Sequence, residues 1–370
     1  MPMEASRSYT MRDVARLARV SVTTVSKIVN GRGGISPRLA QRVEAAIQAL
    51  DYHPNEVARN LKISRTGTIG MVVPHISNPF FAKVFGGAEE EARRHGLSLV
   101  LCNSNEDVQV ERDLLRMLIC RRVEGILLAS ASESLPRTPR HPPLICFDRE
   151  PAGFSGRVVV IDNERAGYEA ARHLIELGHR RIAVMSGPET LSTAAQRLKG
   201  FCKALQEANL PMFHEYLRRG DFSSKAGYCA GIDLLRLSAP PTAVFACNNA
   251  MTLGLMLALK DSRLKCPEHL SVVGFDRFDW LGLFSPTLTT VIQPSDEMGK
   301  RAMASLLQLI RPQALPSPSE DLHRVVLRAE LRVGESTAPF VERNGASAGR
   351  VSGRDDEPSS VHTLTPRNLV

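Results

Sequence analysis

Apolar residues recur along the chain with two different periods, and the change between them falls near residue 68. Before that point the spacing is helical. Val14, Leu17 and Ala18 stand at i, i+3 and i+4, Val25, Ile28 and Val29 repeat the pattern, and Leu39, Val43, Ala46, Ile47 and Leu50 carry it through a third stretch. Each stretch has a start signal: Thr10 with Asp13 three residues on, Ser21, and Ser36 followed by Pro37 at the first helical position. Asn30-Gly31 ends the second. Three short helices sharing one small core are therefore predicted. A further helix start at Pro54 leaves only about two turns before the polar linker Ile63-Ser-Arg-Thr-Gly-Thr68, and isolated helices under ~12–15 residues are marginal in water, so this one needs a partner to form.

From Thr68 onward short apolar runs alternate with helical patterns. Strands are predicted at 69–73, 97–101, 125–129 and 144–147, then in a second series at 158–161, 182–185, 243–246, 271–275 and 289–292. Helices fall around 79–95, 108–121, 164–177, 193–209, 224–237, 249–261 and 295–311. Strand–helix alternation implies parallel sheets covered on both faces, and two successive sets imply two lobes with a ligand cleft between their strand ends. The lobes are expected to be discontinuous, with crossings near 161–163 and 289–294 and a third near 320–325. No internal repeat stands out. Four segments result: a head over 1–53, a hinge helix and linker over 54–67, a two-lobed domain over 68–335, and a tail over 336–370. The tail is rich in Ser, Gly, Pro and charge, lacks apolar periodicity, and is expected to be disordered.

Charge sharpens this division. Residues 1–68 hold 11 Lys/Arg against 5 Asp/Glu, a net of +6, while the other 302 residues carry a net of only +2. A basic surplus confined to a small helical module points to a polyanion partner. The seven cysteines are scattered, with no C-x-x-C pair or Cys/His cluster, and read as buried thiols in a reducing compartment. No run of 18 apolar residues and no secretory leader is found, so a cytoplasmic protein without a membrane partner is expected.

The stretch Val20-Ser-Val-Thr-Thr-Val-Ser-Lys-Ile-Val-Asn30 is β-branched enough to suggest a strand, yet its spacing is helical. With Val25, Ile28 and Val29 turned inward, Val22, Thr23, Ser26 and Lys27 face solvent. Short hydroxyl side chains let a helix lie close to another surface, and a DNA major groove about 12 Å wide admits one. The run from Thr10 to Lys62 resembles the DNA-binding head and hinge of the lactose-repressor (LacI/GalR) family of bacterial transcriptional regulators, and the likeness extends to about residue 335. The resemblance implies that Val22, Thr23 and Lys27 face base edges, that Ser21, Thr24, Ser26 and Asn30 hold phosphates, and that Thr10 belongs to the same surface. It places Val57, Ala58, Leu61 and Lys62 in a hinge helix that pairs across a homodimer, with Leu61 wedged into the minor groove. Arg19 stands in the turn where the family has Gly or Asn, and a positive φ there would cost about 1–2 kcal/mol.

In the larger part, Ile161-Asp-Asn-Glu-Arg-Ala-Gly167, His173-Leu-Ile-Glu-Leu-Gly-His-Arg-Arg-Ile182 and Ser271-Val-Val-Gly-Phe-Asp276 match the same family, whose effector domain has the periplasmic-binding-protein type I fold. The resemblance implies an effector site in which Phe80 and Phe222 offer aromatic faces, Arg197 binds a carboxylate or hydroxyl, and Asn248 and Asp276 hydrogen-bond hydroxyls, with Asp148 and Asn163 as further contacts. Asn249 stands where many relatives have Asp. No tetramer-forming leucine-heptad segment is present, so a dimer is expected.

Three function classes compete. An enzyme would need a catalytic motif, and none of G-x-S-x-G, a Walker A loop, G-x-G-x-x-G after a strand or a metal-spaced His pair is found. No cofactor is expected. A sugar-binding protein of the same fold without regulatory DNA binding would leave the basic head unused. A repressor gated by a sugar, sugar acid or other sugar derivative uses every part.

Overall fold

The structure is a computed structural model that describes residues 9–29, 34–52, 66–135, 142–276, 285–312 and 323–342. The predicted hinge helix, and with it Val57, Ala58, Leu61 and Lys62, lies outside the described residues, as does Asn30.

The head consists of α1 (Met11–Ala18), α2 (Val22–Val29) and α3 (Pro37–Ala49). Val14, Ala15, Ala18, Val25, Val43, Ala46 and Tyr52 are buried together. Leu17, expected inside, is instead 52% exposed, and Ala15 takes its place. Arg19 does take the left-handed conformation, with φ 52°. Its backbone N–H closes the end of α1 on Ala15 and Arg16, and the Arg42 guanidinium reaches from α3 to the carbonyls of Ala18 and Arg19 at 2.6 and 3.3 Å. These contacts satisfy carbonyls that a helix end leaves open and offset the strain of a side chain where glycine is usual.

The larger part holds two six-stranded sheets. In the first lobe, β1 (Thr68–Val73), β2 (Ser98–Asn103), β3 (Gly125–Leu128), β4 (Leu144–Phe147) and β5 (Arg157–Ile161) are joined by β11 (Arg324–Leu327), in the order β11-β5-β4-β3-β1-β2. In the second, β6 (Ile182–Ser186), β7 (Leu217–Arg219), β8 (Ala243–Ala246), β9 (Ser271–Phe275) and β10 (Thr289–Ile292) are joined by β12 (Glu330–Arg332), in the order β12-β10-β9-β8-β6-β7. The five core strands of each lobe are parallel and follow one winding, although the sequence carries no visible repeat. Only β12 runs antiparallel to its neighbour β10.

Helices α4 (Pro79–Arg94), α5 (Val108–Cys120) and α10 (Ser295–Ile310) serve the first lobe, and α6 (Asn163–Glu176), α7 (Ser192–Glu207), α8 (Ser224–Leu235) and α9 (Asn249–Asp261) the second. Cover on both faces is why β3, β6, β8 and β9 are buried throughout and read as continuous apolar runs. The chain crosses between lobes after β5, after β10 and between β11 and β12. The third crossing is thus at Arg328–Ala329, later than the 320–325 expected, because Arg324–Leu327 pairs as an edge strand with β5.

The tail expectation is corrected for its first residues. Ser336 is fully buried, its hydroxyl donates to the Val272 carbonyl at 2.6 Å, and the Phe340 N–H donates to the Leu177 carbonyl at 2.7 Å. Residues 336–342 therefore belong to the second lobe; their pairing is by backbone and hydroxyl groups, which apolar periodicity does not register.

Helices α6 and α7 approach so closely that side chains are excluded at the contact. A Cβ at Gly200 would lie 1.8 Å from the Glu164 carbonyl oxygen, and one at Gly167 would lie 2.0 Å from that of Arg197. Gly200→Val should therefore cost about 2–3 kcal/mol, read as a lower urea midpoint; an unchanged midpoint would show that the two helices can part freely.

Candidate functional site

Between the lobes lies a cavity of about 310 Å³, bounded by the loops that follow the carboxyl ends of β1, β2, β4, β7, β8, β9 and β10. This is where open α/β sheets place ligands. Of the seven expected effector residues, six line it: Phe80, Asp148, Arg197, Phe222, Asn248 and Asp276. Three of these, Asp148, Phe222 and Asp276, have φ between 60 and 65°, so the strand ends are bent through left-handed backbone to turn their side chains inward.

Asn163 is not on the cavity wall; it acts one layer behind. Its side-chain oxygen accepts from Arg197 Nε at 2.8 Å, while Arg197 Nη1 donates to the Cys247 carbonyl at 2.7 Å. The guanidinium carbon sits 3.6 Å above the centre of the Phe275 ring. Arg197 is thereby buried and fixed on three sides. The close approach of α6 and α7 sets this arrangement, since Asn163 opens one helix and Arg197 lies on the other. Burial pulls the Arg197 guanidinium below its usual range, opposed by Asp148 and Asp276.

The two carboxylates are the mirror of this. Burial raises Asp148, and Arg149 and Arg197 hold it back. Burial pushes Asp276 up to about 6 against the pull of Arg197 and of Gln293, whose side-chain nitrogen donates to Asp276 Oδ2 at 2.8 Å. The other end of that amide, Gln293 Oε1, is buried and makes no hydrogen bond.

Asn248 has a different part from the one expected. Its Oδ1 caps α9 by accepting from the Met251 N–H at 2.8 Å, and its Nδ2 donates to the Phe222 carbonyl at 2.9 Å. It holds Phe222 in place more than it offers itself to a ligand. The Phe222 ring in turn lies over Gly187, where a Cβ would come within 2.3 Å.

Sequence reasoning missed Asn78, Glu106, Arg149, Thr193 and Gln293, all on the wall. Asn78 and Asn249 exchange side-chain hydrogen bonds across the two lobes at 2.8 and 3.2 Å. Arg149 and Gln293 lie within two residues of the ends of β4 and β10, and that position was the only signal they carried.

On the head, Ser21, Val22, Thr23 and Lys27 are exposed, and Thr24 and Ser26 are half-buried. Ser21 caps α2, its hydroxyl accepting from the Thr24 N–H at 3.1 Å and lying 2.9 Å from the Thr24 hydroxyl. Thr10 donates from its N–H and its hydroxyl to the Asp13 carboxylate at 2.9 and 2.7 Å. A short, uncharged face with one lysine is thus presented outward by a helix whose other side is core.

Two family models match: "Bacterial regulatory proteins, lacI family" over residues 10–55, and "Periplasmic binding proteins and sugar binding domain of LacI family" over residues 66–338. The chain belongs to the LacI family. It is a DNA-binding repressor with an effector-binding domain. It is 36% identical over 329 residues to a protein of Mannheimia succiniciproducens named HTH-type transcriptional repressor PurR, covering 87% of this chain and 98% of that one. The lac repressor dimer bound to operator and an anti-inducer superimposes with a TM-score of 0.78 at 26% identity, covering 90% of this chain and all of the other. A LacI family regulator of Enterococcus faecium with bound ribose matches with a TM-score of 0.65 at 30% identity, over 74% of this chain and all of that one. Among the described residues no helix is long and apolar enough to cross a membrane.

The raised Asp276 has a consequence for stability. Its folded-state value of about 6 lies above the ordinary 3.8, so its ionisation disfavours the folded state; that cost is full above pH 6 and vanishes below about pH 4. Asp276→Asn should therefore stabilise the ligand-free protein at pH 7.5 by on the order of 2 kcal/mol, with the gain shrinking toward pH 4 in urea unfolding. A gain independent of pH would contradict this assignment.

Proposed function

We propose that the chain is a non-catalytic, homodimeric, cytoplasmic repressor that binds a pseudo-palindromic operator and is gated by a single sugar ring held between its lobes. The observation that carries this reading is the union, in one chain, of an outward-facing helix bearing Val22, Thr23 and Lys27 with an interlobe cavity whose polar groups are fixed in advance. Phe80 and Phe222 offer apolar faces to the C–H sides of a sugar ring. Asp148, Asp276, Arg197 and Gln293 meet hydroxyls, which can donate to the first, second and fourth and accept from the third. At about 310 Å³ the cavity stands at the small end of ligand sites, which run ~300–1,000 Å³, and this favours one ring over two. The ribose-bound relative supports the same class of ligand.

On the DNA side, Val22, Thr23 and Lys27 are assigned to base edges, Ser21, Thr24, Ser26 and Asn30 to phosphates, and Val57, Ala58, Leu61 and Lys62 to the hinge. The outward face of α2 and the family match over residues 10–55 argue against a sugar-binding protein that ignores DNA.

A thermal-shift panel of ribose, glucose, cellobiose and the free nucleobases tests the ligand class. The largest rise in melting temperature is expected for a monosaccharide; a shift by a nucleobase alone would reject the sugar. For DNA, genomic fragments selected on the unmodified protein supply the operator. Leu61→Ala should weaken that operator about tenfold or more, the scale of losing a groove wedge worth a few kcal/mol, and leave sugar binding intact. Lys27→Ala should change which base pair is preferred; a uniform loss over all sequences would make Lys27 a phosphate contact instead.

A further inference from the structure

The first-lobe wall of the cavity carries a second guanidinium, Arg149, which follows Asp148 at the end of β4 and whose side chain is 6% exposed. Both of its terminal nitrogens reach Glu106, Nη1 to Oε2 and Nη2 to Oε1, each at 2.7 Å, and Nη1 also donates to the Ser130 carbonyl at 3.0 Å. Its Nε is buried without a hydrogen bond, 3.7 Å from Asp148 Oδ2. Burial alone would lower this guanidinium; the Glu106 ion pair outweighs it and raises it.

Glu106 is placed for this by an unusual turn. Asn105 and Glu106 are consecutive left-handed residues, with φ 54 and 59°, and the next residue, Asp107, caps α5 by accepting from the Gln109 and Val110 N–H groups at 2.7 and 3.0 Å. The turn points Asp107 at the helix and Glu106 at the cleft. Left-handed non-glycine backbone is strained, and such strain persists where surrounding structure demands the geometry.

We propose that Glu106 is a specificity-determining residue: by gripping Arg149 in a two-pronged ion pair it cancels the cavity's second cation, so that the cleft selects uncharged sugars over sugar acids and sugar phosphates. The inference rests on the reading of the cleft as a sugar site. The wall carries two guanidiniums, Arg149 and Arg197, against three carboxylates, Glu106, Asp148 and Asp276. Behind them the Glu111 carboxylate is taken by Ser130 and Ser132 hydroxyls at 2.9 and 3.1 Å, and His75 lies 3.8 Å from Glu106 Oε1. An anionic ligand would bring a further negative charge into this enclosure and find the Arg149 fork already taken by Glu106. Removing the Glu106 charge would leave the Arg149 fork open to an oxyanion.

Titration calorimetry on the full chain tests this with two pairs that keep the sugar ring and differ by one charged group: glucose against glucuronate, and ribose against ribose 5-phosphate. The unmodified protein should bind the neutral member of a pair at least roughly tenfold more tightly, and Glu106→Gln should shift the anion-to-neutral ratio by roughly tenfold or more toward the anion. Asp113→Asn, which removes an exposed acid from the same region of the lobe, should leave the ratio unchanged. Glu106→Ala guards against a special property of the glutamine. Equal loss of both ligands in the two Glu106 variants would reduce the residue to a structural part and overturn the proposal. Preference of the unmodified chain for the anions would overturn it while sparing the sugar site, whereas binding of none of the four would overturn the sugar reading and this inference with it.

Discussion

A buried guanidinium that feels two carboxylates from different lobes is the constraint around which the larger domain is arranged. Arg197 is too costly to bury alone, and too costly to leave once its neighbours are in place. Every group that makes it tolerable is a statement about the fold: Asn163 opens α6, the Cys247 carbonyl ends β8, Phe275 ends β9, and the Asp148 charge acts from the opposite lobe. The glycine contact between α6 and α7 brings the first of these to the arginine. Binding chemistry and packing are therefore one arrangement, and the site cannot be loosened without loosening the second lobe.

That arrangement also says how a ligand could be felt at a distance. The lobes touch through the reciprocal Asn78 and Asn249 amides and through the Glu150 N–H, which donates to the Ser192 hydroxyl at 3.0 Å. Three chain crossings join them behind the cleft. Neutral hydrogen bonds of this kind contribute only about 0.5–1.5 kcal/mol each, terms that a ligand can add to or oppose. An effector shifts the balance by no more than its difference in affinity for the two arrangements.

Most of the architecture was legible in the chain because buried parallel strands must be apolar on both faces and helices on one. All nine predicted strands and all seven helices of the large part are found. What escaped was what those periods do not encode. The strand at Leu217–Arg219 is three residues long and ends in arginines, and those at Arg324–Leu327 and Glu330–Arg332 lie at sheet edges with alternate residues exposed. Residues 336–342 are held by hydroxyls and backbone. Among the site residues, six of seven line the cavity because strand ends converge there whatever the side chain. The roles of Asn163 and Asn248 could not be read, since whether an amide faces a ligand or a neighbour depends on Arg197 and Phe222, 34 and 26 residues away.

The head shows the opposite balance between sequence and packing. Its second helix is built from residues with poor helical propensity, and its core is a handful of small side chains, Val14, Ala15, Ala18, Val25, Val43 and Ala46 with Tyr52. A unit of that size buries little apolar surface. The β-branched composition divides between the two faces: Val25 fills the core, while Val22 and Thr23 leave the outer face short and exposed. Stability lost to propensity is recovered by capping at Ser21 and Thr10 and by the Arg42 clasp on the turn, which fix the angle between α1 and α2. The module is thus shaped for what lies outside it, and its own packing supplies only what is needed to hold that shape.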